Sequence, residues 1–345
     1  MLPVDPPLDA EAVPAGDRLR ALAALAELTK AASRLDNPDL FHRPRFRTAL
    51  HHRHLHTTDE GELAEAISNA AEQRTKAGLL AVHSVREELR EHPGRRPCFA
   101  PDALAELHRL IAAADPSIPG RGGFRRGNVT VTRADGGLVL FGTAPGAELN
   151  EQVRRWYAWG LATTSPPLDA SALSTIRLLT IHPFADGNGR MVRLLAQCDL
   201  VAAGLMPGLL LDLEGWVHGN RQADDDAFAA AVDGDLMAWG ATFARMVTET
   251  AHHRIATIKA YRRVLDAAMD RAKGDPAARE VLAHLRATPA VSAQWLKGRT
   301  TRAPGPALDR LTRAGVLTPH PRLPGALFHP RLVAILDEPF TAGVH

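Results

Sequence analysis

The stretch "TIHPFADGNGRMVRLL", Thr180 to Leu195, decides how the chain is read. Pro183 disfavours helical geometry at His182, so a helix arriving from the N-terminal side must end there. The glycines of "FADGNG" prolong the break. Helix then resumes at Asn188–Arg190, with Met191, Leu194, Leu195 and Cys198 on one apolar face. A helix N-terminus preceded by glycines points unpaired N–H groups and a partial positive charge into the loop, an arrangement that suits phosphate. Arg190 lies in the first turn, where a cation opposes the helix dipole unless an anion binds beside it. Asp186 has the chemistry of a Mg²⁺ ligand, since that ion is commonly held by one carboxylate plus phosphate oxygens. His182, at the other end of the loop, is placed to take a proton from an attacking hydroxyl. Phe184 offers no such chemistry and reads as a plug into the core. A turn whose polar residues only cap two helices would not need so many of them at fixed spacing.

Outward from this loop the chain reads as mainly α. Helical spacing of apolar residues predicts helices over Asp17–Leu35, Leu79–Leu89, Glu148–Leu161, Ala170–Thr180, Gly189–Ala203 and Ala227–Arg263. Another begins at the capping residues Thr57, Thr58 and Asp59. The exception is "NVTVT" and "LVLFG", two β-type runs joined by Asp135-Gly136-Gly137, which predict a hairpin over 128–142. "RAKGDPA" at Arg271–Ala277 reads as a linker. Beyond it come three helical pieces and two short β-type pieces.

The 345 residues suit two or three domains, with 45% hydrophobic and 23% charged residues and a net charge of +2. No apolar run approaches the ~20 residues that span a bilayer, so no membrane partner is expected. The acidic, proline-rich start "MLPVDPPLDAEAVPAGD" has neither the basic end nor the apolar core of a signal peptide and reads as a disordered lead-in. Cys98 and Cys198 are too few for a disulfide framework. Together these features predict a cytoplasmic protein. Sixteen histidines invite a metal reading, above all "FHRPRFRTALHHRHLH" at Phe41–His56. No carboxylate interrupts that stretch and arginines surround it, so it reads as a basic surface segment.

The loop resembles the signature of the Fic family, HPFx[DE]GNGRxxR. His182, Pro183, Phe184, Asp186, Gly187, Asn188, Gly189, Arg190 and Arg193 fill every fixed place. The resemblance implies a Fic-type helical bundle with a β-hairpin flap. It also implies a Mg²⁺-dependent enzyme that moves AMP from ATP onto a Ser, Thr or Tyr hydroxyl of a target protein. On that basis His182 is the general base and Asp186 the Mg²⁺ ligand. Asn188 holds the α-phosphate, the amides around Gly187 and Gly189 form an anion hole, and Arg190 and Arg193 take the outer phosphates. "GFRRGNVTV" at Gly123–Val131 resembles the family's flap entry. "AISNAAEQR" places Ser68 and Glu72 at the spacing of the family's inhibitory helix, [ST]xxxE[GN], with Gln73 at the last position. Glu72 is then expected to reach Arg193 and occupy the seat of the γ-phosphate. "GNRQADDD" supplies Asn220 and Arg221 of the family's adenine-side pattern NRxxYY, but Asp224 and Asp225 replace the tyrosines.

The expected organisation is a lead-in over 1–16, a helical region carrying the inhibitory helix over 17–95, a Fic core over 96–270 and a C-terminal domain over 277–345. The last resembles a winged helix-turn-helix. From Val281 to Ile335 it carries Arg286, Lys297, Arg299, Arg302, Arg310, Arg313, Arg322 and Arg331 against Asp309 alone. That imbalance suits a DNA backbone, and dimerisation or protein contact is the other use of such a domain. Two further readings of the whole chain stand beside AMP transfer. One is a DNA-binding regulator that senses nucleotide without turnover, and the other is removal of AMP with Glu72 orienting water.

Overall fold

A computed structural model describes residues 6–41, 90–91, 100–112, 122–133, 136–320, 325–336, 338 and 340. Ser68, Glu72, Cys98 and the histidine-rich stretch after Phe41 lie outside the described residues. The fold is mainly α. The described residues of 1–29, 77–252 and 340–345 form one compact unit, and those of 30–76 and 253–339 form a second.

The first unit is built around helix α4, Pro167–Ile181 (after α1 at Ala15–Ala32, α2 at Pro101–Ala112 and α3 at Ala147–Ala162). Residues 168–178 of α4 are buried without interruption, so it is a central helix rather than an amphipathic one. Two tryptophans of its neighbours bond to its backbone carbonyls. Trp156 Nε1 donates to the Ser174 carbonyl at 3.1 Å, and Trp239 Nε1 donates to the Ala172 carbonyl at 2.9 Å. Helix α5, Asn188–Ala202, returns along α4 after the glycine loop. Leu104, Val153, Leu178, Phe184, Met191 and Leu195 meet in the core between α2, α3, α4 and α5.

Strands β1, Thr130–Thr132, and β2, Leu138–Phe141, pair antiparallel, with Thr130 opposite Phe141. This is the hairpin expected from the sequence. The single helix expected over Ala227–Arg263 is two: α7 at Arg221–Val232, following the short α6 at Leu213–Gly219, and α8 at Leu236–Arg271. The break is "DGD". Gly234 takes φ 106°, open to glycine and costly for other residues, and the Asp235 carboxylate accepts the Ala238 N–H at 3.0 Å to start α8.

The start of the chain also departs from expectation. Part of the segment expected to be a disordered lead-in is packed, with Ala12 and Val13 each 1% exposed. Both donate their N–H groups to Asp169 Oδ1 at 2.8 Å, and Arg18 pairs with the same fully buried carboxylate. A buried charge must be paired and hydrogen-bonded. Gly240 on α8 also approaches this segment closely, since a Cβ there would overlap the Ala12 carbonyl.

In the second unit, α9 (Pro276–Ala283), β3 (Ala290–Ser292), α10 (Ala293–Leu296) and α11 (Pro304–Arg313) precede β4 (Thr318–Pro319), β5 (Ala326–Phe328) and α12 (Pro330–Leu336). The strands form one antiparallel sheet in the order β3-β5-β4. Among the described residues no helix is long and apolar enough to cross a membrane.

Candidate active site

The glycine loop begins where α4 ends. His182 is the C-terminal cap, its N–H donating to the Leu178 carbonyl at 3.0 Å. With φ 52° it is the one non-glycine residue in the left-handed region among the described residues. Its ring Nδ1 lies 3.1 Å from the Leu179 carbonyl. A carbonyl only accepts, so Nδ1 carries the proton and the neutral ring leaves Nε2 as a bare lone pair. Burial holds the imidazole below the ordinary histidine range. The Arg125 charge pushes the same way, against the opposing pulls of the Leu179 bond and Asp186.

The loop is held by its own side chains. Asn188, 3% exposed, accepts the Phe184 N–H on Oδ1 at 3.0 Å and donates Nδ2 to the Phe184 carbonyl at 2.8 Å. In this structure the Asn188 amide therefore closes the loop; the resemblance had assigned it to phosphate. Phe184 is fully buried, as its lack of chemistry suggested, and stacks on His108 with ring centroids 3.8 Å apart. His108 Nε2–H donates to the Asp186 carbonyl at 2.8 Å, and Nδ1 accepts the Gly122 N–H at 3.2 Å. Burial, more than any neighbouring charge, keeps that ring neutral. Nothing in the sequence marked His108, because its partners are 78 and 14 residues away.

Gly187 takes φ 83°, and a Cβ there would lie 3.2 Å from His108 Nε2. This glycine lets α5 begin close against the loop. Its first-turn N–H groups have no intrahelical acceptor and end the helix dipole at the cavity. A cavity of about 280 Å³ is lined by His182, Asp186, Gly187, Gly189, Arg190 and Arg193, together with hairpin residues Val131, Thr132 and Val139. Of the predicted site residues that the structure describes, these six line one space and Asn188 lies behind the loop; Ser68 and Glu72 are outside the described residues.

The arginines have partners. Arg193 Nε donates to Glu214 at 2.6 Å, and Arg190 stands 3.8 Å from Asp186 Oδ2. The terminal nitrogens of Arg193 lie over Gly189, each 3.0 Å from where a Cβ would be. Arg221 pairs with Asp225 at 3.0 Å. Burial raises the Asp224 carboxyl, against the pull of Arg193 and Arg221. Glu214 was not singled out from the sequence; only its place in the first turn of α6 brings it to Arg193.

Asp186 fits a Mg²⁺ ligand. Its side chain is 59% exposed into the site, with Oδ1 accepting the Gly187 N–H at 2.5 Å. No group of three or more His, Cys, Asp or Glu that would hold a metal alone occurs among the described residues.

Residues 98–199 match the Fic/DOC family model. The curated proteins named protein adenylyltransferase Fic from Drosophila sechellia and Drosophila yakuba are 37% and 38% identical over 107 residues, which is 31% of this chain and 21% of each relative. The chain thus matches about a fifth of their length. Among solved structures, a Fic domain containing signaling protein from Bacteroides thetaiotaomicron is 20% identical, with 69% of this chain and 97% of that one covered and a TM-score of 0.47. A Fic family protein from Desulfovibrio desulfuricans is 16% identical, with 90% and 95% covered and a TM-score of 0.48. Residues 98–199 of this chain are a Fic/DOC-family domain.

Proposed function

We propose that the site transfers AMP from ATP to a Ser, Thr or Tyr hydroxyl of a target protein. One observation carries the proposal: the Leu179 carbonyl fixes the proton on Nδ1 of His182 and leaves Nε2 as a base on the cavity wall. The hydroxyl oxygen attacks the α-phosphorus, the bond to the pyrophosphate oxygen breaks, and the hydroxyl proton passes to Nε2. The N–H groups of α5 and the terminal nitrogens of Arg193 face the phosphates, so the protein's part is positioning and charge stabilisation. Asp186 would hold Mg²⁺, which supplies charge compensation to the phosphate oxygens. On the nucleobase side, Asp224 and Asp225 stand where the family pattern has tyrosines.

A regulator that only senses nucleotide has no use for a bare Nε2 in the cavity wall. Removal of AMP would draw on Glu72, and so would autoinhibition; both remain extensions of this reading. Residues 277–345 enter it as a candidate winged helix for DNA or for a second copy of the chain.

The test is labelling with α-phosphate-labelled ATP, Mg²⁺ and a cell lysate, alongside calorimetric titration with ATP. His182→Ala should lower transfer by about 10²–10⁴-fold and leave ATP affinity unchanged. Wild-type transfer by the variant would overturn the assignment of the base. Because burial favours the neutral ring, wild-type transfer should persist at pH 6.5 and fall only at more acid values. A midpoint above about 6.5, the free histidine value, would contradict it.

A further inference from the structure

Arg125 is 5% exposed, and its hydrogen-bond acceptors among the described residues are all backbone carbonyls. Nε donates to His182 at 2.7 Å and Nη1 to Gly127 at 2.9 Å, while Nη2 donates to Thr143 and, at 3.4 Å, to Ile181. Its own N–H donates to the Pro183 carbonyl at 2.9 Å. These acceptors fall into two groups. Gly127 and Thr143 are the two roots of the hairpin, and Ile181, His182 and Pro183 are the turn that carries the base.

We propose that Arg125 is a positioning residue that locks the hairpin to His182, so that a target segment paired to the hairpin edge through backbone bonds brings its hydroxyl to Nε2. The proposal rests on the AMP-transfer reading above. A planar guanidinium with five donors and no acceptor can serve carbonyls in several directions at once; an ammonium is a flexible point charge and cannot hold the same fan. The left-handed turn at His182 leaves the carbonyls at the end of α4 without intrahelical donors, and Arg125 supplies them. The guanidinium thus joins both hairpin roots to the turn, beside the backbone bond from its own N–H to the Pro183 carbonyl. Gly142 marks how close the approach is. A Cβ there would lie 2.9 Å from Arg125 Nη2, 2.8 Å from Val129 Cγ2 and 3.5 Å from His182 Cβ.

The phosphate side is held independently, by the Asn188–Phe184 and His108–Asp186 bonds. Positioning and nucleotide binding should therefore separate. A misplacement on the order of 1 Å at a reacting group costs about 10²-fold. Arg125→Lys and Arg125→Ala should accordingly lower transfer by about ten- to a hundred-fold, with ATP affinity by calorimetry within about twofold of wild type. Millimolar methylguanidine should restore part of the transfer by Arg125→Ala. Hydrogen exchange is the readout that does not need activity. In Arg125→Lys the Gly142 amide, bonded to the Val129 carbonyl at 3.0 Å, should exchange faster while the amides of α5 keep their protection.

Wild-type transfer together with unchanged Gly142 exchange in Arg125→Lys would overturn the proposal. So would ATP affinity, α5 protection and transfer falling together without guanidine rescue, which is the signature of a general structural role. If wild-type protein transfers no AMP, the AMP-transfer reading fails. The exchange pattern alone then decides whether Arg125 ties the hairpin to the turn.

Discussion

Glu214 meets Arg193 on Nε, at 2.6 Å, and leaves the two terminal nitrogens over Gly189. A carboxylate there does two opposed things. It orients the guanidinium toward the phosphate seat, and it places a negative charge beside incoming phosphates. The carboxylate is 61% exposed, so solvent screening limits both effects, and such pairs contribute about 0–1 kcal/mol. Glu214→Gln keeps an acceptor for Nε and removes the charge, so ATP should bind about two- to fivefold tighter than to wild type. Glu214→Ala removes both and should bind more weakly than Glu214→Gln. Calorimetric titration of the two variants checks the order; equal affinities would mean that the pair does not orient Arg193. At this scale the loop residues were legible because their chemistry and spacing are local. His108, Arg125 and Glu214 were not, because each acts through a partner that only the fold brings near. Arg125, for instance, bonds a carbonyl 57 residues away.

Among the elements, the turn from α4 into α5 was the easiest to read. Pro183, Gly187 and Gly189 punctuate it, and punctuation is what a single sequence conveys best. The break between α7 and α8 was missed because apolar spacing runs on across "DGD" and outweighed Gly234. Strand β3 escaped for a different reason: three residues, Ala290–Ser292, are too short to show alternation. Two glycines with nearly the same φ separate local cost from function. Gly187 has φ 83° and faces His108, whereas Gly136, at φ 86° in the hairpin, has nothing within 4 Å of its added Cβ. Gly136→Ala should cost only the left-handed backbone, about 1–2 kcal/mol at most, with ATP affinity unchanged. Gly187→Ala adds the contact with His108 and tilts the start of α5, so it should lose more stability and also weaken ATP binding. Denaturant midpoints and titrations of the two variants test this; equal behaviour would mean that His108 does not set the loop.

For the molecule as a whole, the response to pH follows from three imidazoles whose pKa burial lowers, His108 and His182 in the first compact unit and His329 in the second. In the first, His182 is held below the ordinary histidine range by burial and then by the Arg125 charge. In the second, His329 precedes α12, and its Nδ1 accepts the Leu332 N–H at 3.4 Å, a bond that a protonated ring cannot accept. Burial lowers its pKa, and Arg271 and Arg331 lower it further. All three groups therefore bind fewer protons folded than unfolded at pH values between their lowered pKa and about 6.5. Stability must rise with pH across that window, since its slope has the sign of the difference in bound protons, unfolded minus folded. The contribution is fully present above about 6.5 and is lost as pH falls through the lowered values. Urea midpoints followed by far-ultraviolet circular dichroism should drop between pH 7.5 and pH 5.5. His329→Asn retains a capping acceptor without an imidazole to titrate, so the fall assigned to the second unit should become shallower. An unchanged slope in that variant would mean that the His329 ring is as accessible to protons folded as unfolded, and that burial at the start of α12 does not govern it.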